Sequence, residues 1–228
     1  MLTKKKKLSR KEIKQDKFVE IYYKVYGFVQ DNSQRVILYG VLLIVVIFAA
    51  IFYVNNRKQK NETAGVELAR IMNLFDAGNY QEAIDGQPGT TIIGLKKIVD
   101  DYGSTPNGET AKMFLADSYN LLGKTDEAYK YYKDYDGSIE LYQSAALAGQ
   151  AGYFASKNNN SEAAELYEKA AHVTDTDVMN AEYLLKAGIN YMKEGKNKEA
   201  KKAFETVQND YKTSASAREV QQYLVQLN

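Results

Sequence analysis

Residues 188–204 read GINYMKEGKNKEAKKAF. A small residue, Gly188, is followed three positions later by an aromatic, Tyr191. Gly195 comes four positions after that, then the pair Glu199-Ala200, then Phe204. Each position has a physical role in an antiparallel helix pair. A small side chain lets two helices approach closely, and the aromatic fills the space beside it. A glycine ends the first helix in a left-handed turn. Glu-Ala opens the second helix, and the aromatic four residues on lies along the same face as the alanine.

The pattern recurs upstream. Gly78-Asn-Tyr-Gln-Glu-Ala83, Gly123-Lys-Thr-Asp-Glu-Ala128 and Asn158-Asn-Asn-Ser-Glu-Ala163 precede Gly195-Lys-Asn-Lys-Glu-Ala200, with alanines 45, 35 and 37 residues apart. Twelve residues before each alanine lies Ile71, Ala116, Ala151 or Gly188, and nine before lies Leu74, Tyr119, Phe154 or Tyr191. Four after come Tyr132, Tyr167 and Phe204 in the last three units. A helix pair alone cannot bury its apolar stripe, so such units stack. The third unit has Asn158 for the glycine. In the first, Asp85-Gly-Gln-Pro-Gly-Thr-Thr91 interrupts the second helix, which resumes at Leu95.

These residues resemble the tetratricopeptide repeat, nominally about 34 residues long. The resemblance covers roughly residues 64–211. A second echo links Lys97-Ile-Val-Asp-Asp-Tyr102-Gly-Ser-Thr with Thr206-Val-Gln-Asn-Asp-Tyr211-Lys-Thr-Ser. Both run on into another helix. After Tyr211 that helix presents Val220, Tyr223, Leu224 and Leu227 on one face, as a terminal cap requires.

Residues 36–54, VILYGVLLIVVIFAAIFYV, contain no charge. At 1.5 Å per residue they reach about 28 Å, close to the hydrocarbon thickness of a bilayer. Tyr39 and Tyr53 stand near the ends, where interfacial aromatics are favoured. A soluble core helix rarely runs this long without a polar face. A cleaved signal peptide would have a shorter apolar run and a small-residue cleavage site. The expectation is an uncleaved anchor, with Gly40, Ala49 and Ala50 as small-residue candidates for close helix contact in the membrane.

Net charge supports two environments. Residues 1–35 carry +6 and residues 36–228 carry −5, against +1 for the whole 228-residue chain. Close to the span the bias is weak: Lys17, Lys24 and Arg35 stand against Arg57, Lys58, Lys60 and Arg70. The whole lysine-rich tail decides, because a long domain translocates regardless of charge. The expected topology is a bacterial inner-membrane protein with its N-terminus cytoplasmic and its C-terminal domain periplasmic. Within the tail, residues 4–7 are a lysine run. Ile13, Phe18, Ile21, Tyr22, Val25, Phe28 and Val29 follow at helical spacing, suiting an amphipathic helix at the membrane surface or against a partner.

The domain reading is therefore 1–35 basic tail, 36–54 transmembrane helix, 55–63 juxtamembrane linker or helix extension, and 64–228 repeat domain of about four helix pairs plus cap. The fold class is all-α: a single transmembrane helix, then a tetratricopeptide-repeat solenoid with a C-terminal capping helix.

Little points to chemistry. There is no Cys and one His, His172, so thiolate and multi-histidine metal centres are outside this chain's means. Gly123-Lys124-Thr125 imitates the end of a phosphate-binding loop, but Ser118 stands where that loop needs a glycine. Asp100-Asp101 reads as part of a polar helix face. No enzyme activity and no cofactor are expected. Binding is expected in the groove of the first helices: Met113, Asp117, Asn120 and Leu121 in the second unit, Ala148, Gly152 and Ala155 in the third, Leu185, Ile189 and Met192 in the fourth. The alternative is that these side chains pack beneath a neighbouring helix.

The layout as a whole resembles the YfgM-like ancillary subunits of the Sec translocon. That resemblance implies lateral association with the translocon, together with a PpiD-type membrane-anchored chaperone, and help for exported polypeptides. A second reading is an envelope-assembly or cell-division scaffold with a single fixed partner. The Tyr102 and Tyr211 echo resembles repeats of outer-membrane assembly and Tol-associated tetratricopeptide proteins.

Overall fold

A computed structural model describes residues 10–227, with side chains from residue 17 on. The lysine run at residues 4–7 and the Ile13 side chain lie outside the described residues. The chain forms two compact units, Met1–Asn56 and Arg57–Asn228.

The first unit holds α1 (Arg10–Asp31) and the opening part of α2 (Ser33–Asp76). The uncharged run at residues 36–54 lies within α2, and its side chains are exposed except that of Val36, which is partly covered. Among the described residues, α2 is the one helix long and apolar enough to cross a membrane. Gly40, Ala49 and Ala50 are exposed on it, and a Cβ added at Gly40 would meet nothing.

The second unit begins with the remainder of α2 and continues through α3 (Tyr80–Asp85), α4 (Leu95–Tyr102), α5 (Pro106–Leu121), α6 (Thr125–Lys133), α7 (Glu140–Ser156), α8 (Asn160–Ala171), α9 (Asn180–Lys193), α10 (Asn197–Asp210) and α11 (Ala215–Gln226). Helix pairs α5/α6, α7/α8 and α9/α10 follow the sequence units, and α11 caps the last pair. The first pair is the last turns of α2 against α3 and α4. As expected, its second helix is broken by residues 86–94, where Gly86 and Ile93 form an isolated antiparallel bridge.

The four signature turns between helices are built alike. Residues Gly78, Gly123, Asn158 and Gly195 have φ of 77°, 74°, 60° and 70°. The next residue's N–H reaches back to the carbonyl of the position nine before the signature alanine. Asn79 donates to Leu74, Lys124 to Tyr119, Asn159 to Phe154 and Lys196 to Tyr191, each at 2.9 Å. This closure, with a left-handed residue inside it, is the Schellman cap. Asn158 takes the left-handed conformation without a glycine because asparagine tolerates it best among other residues.

The Tyr102 and Tyr211 echo is also one structural device. Thr105 N donates to Tyr102 O at 2.8 Å and Ser214 N to Tyr211 O at 2.9 Å. The Thr105 and Ser214 hydroxyls then accept from Gly108 N and Ala217 N, both at 3.1 Å. Each hydroxyl caps the next helix, α5 or α11.

The buried side chains fall into three clusters. One gathers Ile71, Ile84, Leu95, Ile98 and Leu115, and the second Met113, Ala116, Ala128, Tyr132 and Ala146. The third, around Tyr167, Leu184, Tyr191, Phe204, Val207 and Val220, joins the last two pairs to the cap. Tyr223, Leu224 and Leu227 pack against it, as read for the capping helix.

Candidate interaction surface

The expected groove positions separate into three groups. Met113 and Leu185 are sealed at 2% and 5% exposure, so neither lines a groove. The correction has a packing cause. Met113 belongs to the cluster that Tyr132 of α6 and Ala146 of α7 close over, and Leu185 to the cluster beneath the cap. Helical spacing defines a face, and the neighbouring element covers part of it. Asp117, Gly152, Ile189 and Met192 are half-buried, as are Ala148 and Ala155. Asn120 is exposed and Leu121 stands 55% exposed at the end of α5.

Asp117 is the one carboxylate among these positions. Tyr132 Oη donates to its Oδ1 at 2.6 Å. Burial pushes the Asp117 carboxyl above its usual range, and the tyrosine bond opposes this only in part. The Tyr132 phenol is itself raised, first by burial and then by the Asp117 charge. Tyr183 of α9 is pushed up to about 12, mainly by burial, with Asp177 adding to it.

α6 stops after nine residues, where α8 has twelve and α10 fourteen. The chain beyond it leaves as a loop, and a cavity of about 290 Å³ opens between that loop and α7, lined by Tyr132, Tyr135, Gln143, Leu147, Gln150 and Val173 among others. A second cavity of about 630 Å³ shares Leu147 and Val173 and adds Glu165, Glu168, Lys169 and His172. His172 is the C-cap residue of α8. Gly123 and Lys124 lie in the turn between α5 and α6 and Thr125 opens α6, a helix-to-helix context.

Sequence reasoning missed two polar arrangements. Lys112, in α5, is 7% exposed at its side chain and pairs with Glu109 at 2.9 Å and with Asp134 at 2.8 Å. Glu109 also accepts from Asp136 N at 2.9 Å, so the ion set ties α5 to the loop after α6. Burial acts to lower the Lys112 pKa, but its hydrogen bonds to Asp134 and Glu109 win and hold it above the usual range.

The second arrangement repeats. Lys124 donates to Gln81 at 2.8 Å and Lys196 to Ser161 at 2.7 Å, while Lys157 pairs with Asp126 at 3.1 Å. Gln81, Asp126 and Ser161 each stand two positions before their unit's signature alanine. A lysine from each of the last three turns therefore clasps the start of the preceding unit's second helix. Hydrogen bonds from Lys157 and Tyr153 hold the Asp126 carboxyl below its usual range. The same three lysines lie over Tyr119, Tyr153 and Tyr191, at 6.0, 5.2 and 5.8 Å from the ring centroids.

Among the described residues no group of three or more His, Cys, Asp or Glu side chains is placed to hold a metal ion.

Comparison with known proteins agrees with the helix pairs. The tetratricopeptide repeat model matches residues 182–214, which run from α9 to the turn before α11. Two crystal structures of a Podosopora anserina putative kinesin light chain with nearly identical TPR-like repeats, one of them a point variant, superpose on this chain. Each is 18% identical and covers 75% of this chain and 84% of its own, with TM-scores of 0.52 for the variant and 0.51 for the other. At that identity the likeness speaks to fold alone. No curated protein matches the chain. The class defined by these observations is an all-helical solenoid of tetratricopeptide type that follows one long apolar helix.

Proposed function

We propose that the chain is a membrane-anchored protein-interaction module of the bacterial inner membrane. Its tail is cytoplasmic, residues 36–54 span the bilayer, and the repeat unit acts on the periplasmic side. The observation that carries the reading is the nineteen-residue uncharged run, left uncovered within α2, in the same chain as a solenoid built for protein contacts.

Its role is that of an accessory subunit of the Sec translocon, beside a PpiD-type membrane-anchored chaperone, receiving polypeptides as they emerge. Support comes from the layout: basic tail, one span, repeat domain. A module tethered near the membrane meets emerging chains at high effective concentration, so weak contacts at Asp117, Asn120, Leu121, Gly152, Ile189 and Met192 suffice. Gly40, Ala49 and Ala50 offer the close approach that a partner helix in the membrane needs.

Two measurements test this. Protease added to spheroplasts digests the repeat unit and spares the tail; digestion of the tail alone would reverse the topology. Extraction in mild detergent and capture through the tail recovers translocon subunits. Recovery of one other envelope partner in fixed ratio would instead favour the scaffold reading.

A further inference from the structure

α1 carries an apolar face that is exposed among the described residues. Phe18, Ile21, Val25, Phe28 and Val29 range from 40% to 72% exposed. At about 100° per residue, they and the flanking Val19, Tyr22, Tyr23 and Tyr26 fill an arc of roughly 220°. From residue 17 to the end of α1 the charges are Lys17, Glu20, Lys24 and Asp31, and they share a sector of only about 60°. Lys24 pairs with Glu20 within that sector at 2.7 Å.

The occupant of the apolar face follows from its place in the chain. α1 ends at Asp31 and α2 begins at Ser33, so Asn32 alone separates them, its N–H donating to Phe28 O and its carbonyl accepting from Val36 N, both at 3.0 Å. The uncharged run in α2 already fills the hydrocarbon at about 28 Å, leaving no bilayer core for α1 along the same axis. Tyrosines on one flank of the apolar arc suit the headgroup level. Lys17, Lys24 and Arg35 attract anionic headgroups.

We infer that at a bilayer the stretch of α1 from Lys17 to Asp31 bends away from α2 at Asn32 and lies along the membrane surface, its apolar arc sunk into the headgroup–acyl boundary and its charged stripe in water. The partner is therefore a lipid surface. This rests on the reading of residues 36–54 as a span. It makes α1 a collar that sets the depth of the span and adds a contact with anionic lipid.

The chain has no cysteine, so single spin labels report cleanly. The full chain is placed in phosphatidylcholine–phosphatidylglycerol nanodiscs with a nitroxide at Val25→Cys, Val29→Cys, Glu20→Cys, Lys24→Cys or, as control, Val45→Cys. Collision with oxygen and with a water-soluble nickel chelate is measured at each site. Positions 25 and 29 should favour oxygen, positions 20 and 24 nickel, a reversal of the ratio within one helical turn. Nickel access at 25 and 29 equal to that at 20 overturns the inference. Exclusion of both reagents at 25 and 29 also overturns it and assigns the face to a protein. A lipid signature at Val45 with either of those results leaves the span standing and removes the collar alone. Nickel access at Val45 removes both.

Discussion

The ring of Phe204 in α10 lies against the bare Cα of Gly188 in α9, so close that a Cβ added there would fall inside contact distance of three ring carbons. The small residue and the aromatic sixteen positions later are thus one fitted pair. Gly188→Ala gains some helix propensity but overpacks a sealed site, for a net loss of about 1–2 kcal/mol. Urea unfolding of the chain in detergent, followed by circular dichroism, measures it. Combining the change with Phe204→Leu should return part of the loss, and an additive double mutant would deny the pairing.

Asn158 is the left-handed cap that lacks a glycine. Asn158→Gly relieves its strain, and the repeat unit should gain up to about 1 kcal/mol. Gly195→Ala, at φ 70°, should lose about 1 kcal/mol or more for the converse reason. The same unfolding assay reads both.

Asp117 gives an acid-side signature. Its folded pKa lies above its unfolded value, so ionisation costs the folded state stability. The protonated form is favoured below the unfolded pKa, and that advantage is lost as pH rises through the folded value. Asp117→Asn keeps an acceptor for Tyr132. It should be more stable than the parent at neutral pH, with the difference shrinking as pH falls toward about 4 and below. A gain that grows on acidification would contradict this account.

Lys112 gives the buried-pair signature. Lys112→Met leaves Glu109 without its cation in a site nearly closed to water, at a cost of about 3 kcal/mol. Adding Glu109→Gln should recover much of it. On the alkaline side Lys112 and Tyr183 act together. Both have raised folded pKa values, and Tyr183 reaches about 12. Stability should hold up to about pH 10 and fall as pH rises beyond it, because the unfolded chain then loses these protons first. A pH titration of the unfolding midpoint checks both.

How much was legible in the sequence depended on the kind of constraint. The helix turns were legible because a left-handed cap demands Gly or Asn at one position, and the four copies align on it. The helix break at residues 86–94 was legible from Pro88 among glycines. The helix-capping turns at Thr105 and Ser214 showed through as an echo. Met113 and Leu185 were misplaced because periodicity defines a face and says nothing of which neighbour closes over it. The clasps from Lys124, Lys157 and Lys196 join residues 43, 31 and 35 positions apart, and a lone lysine in a turn looks solvated. Lys112 reads likewise as a surface charge until α6 ends early and returns Asp134 to it. The smaller cavity beside Leu147 follows from the same early end.

Capture of a protein partner outside the cytoplasm by the half-exposed faces of α5, α7 and α9 is tested most directly by site-specific photo-crosslinking in intact cells. A photoreactive residue is placed at Leu121, Gly152 or Met192, and for comparison at Lys202, an exposed position on α10. Adducts to translocon subunits or to exporting chains should form at the first three sites and be weak at Lys202. Equal adducts at all four sites, or adducts to cytosolic proteins alone, would contradict the account.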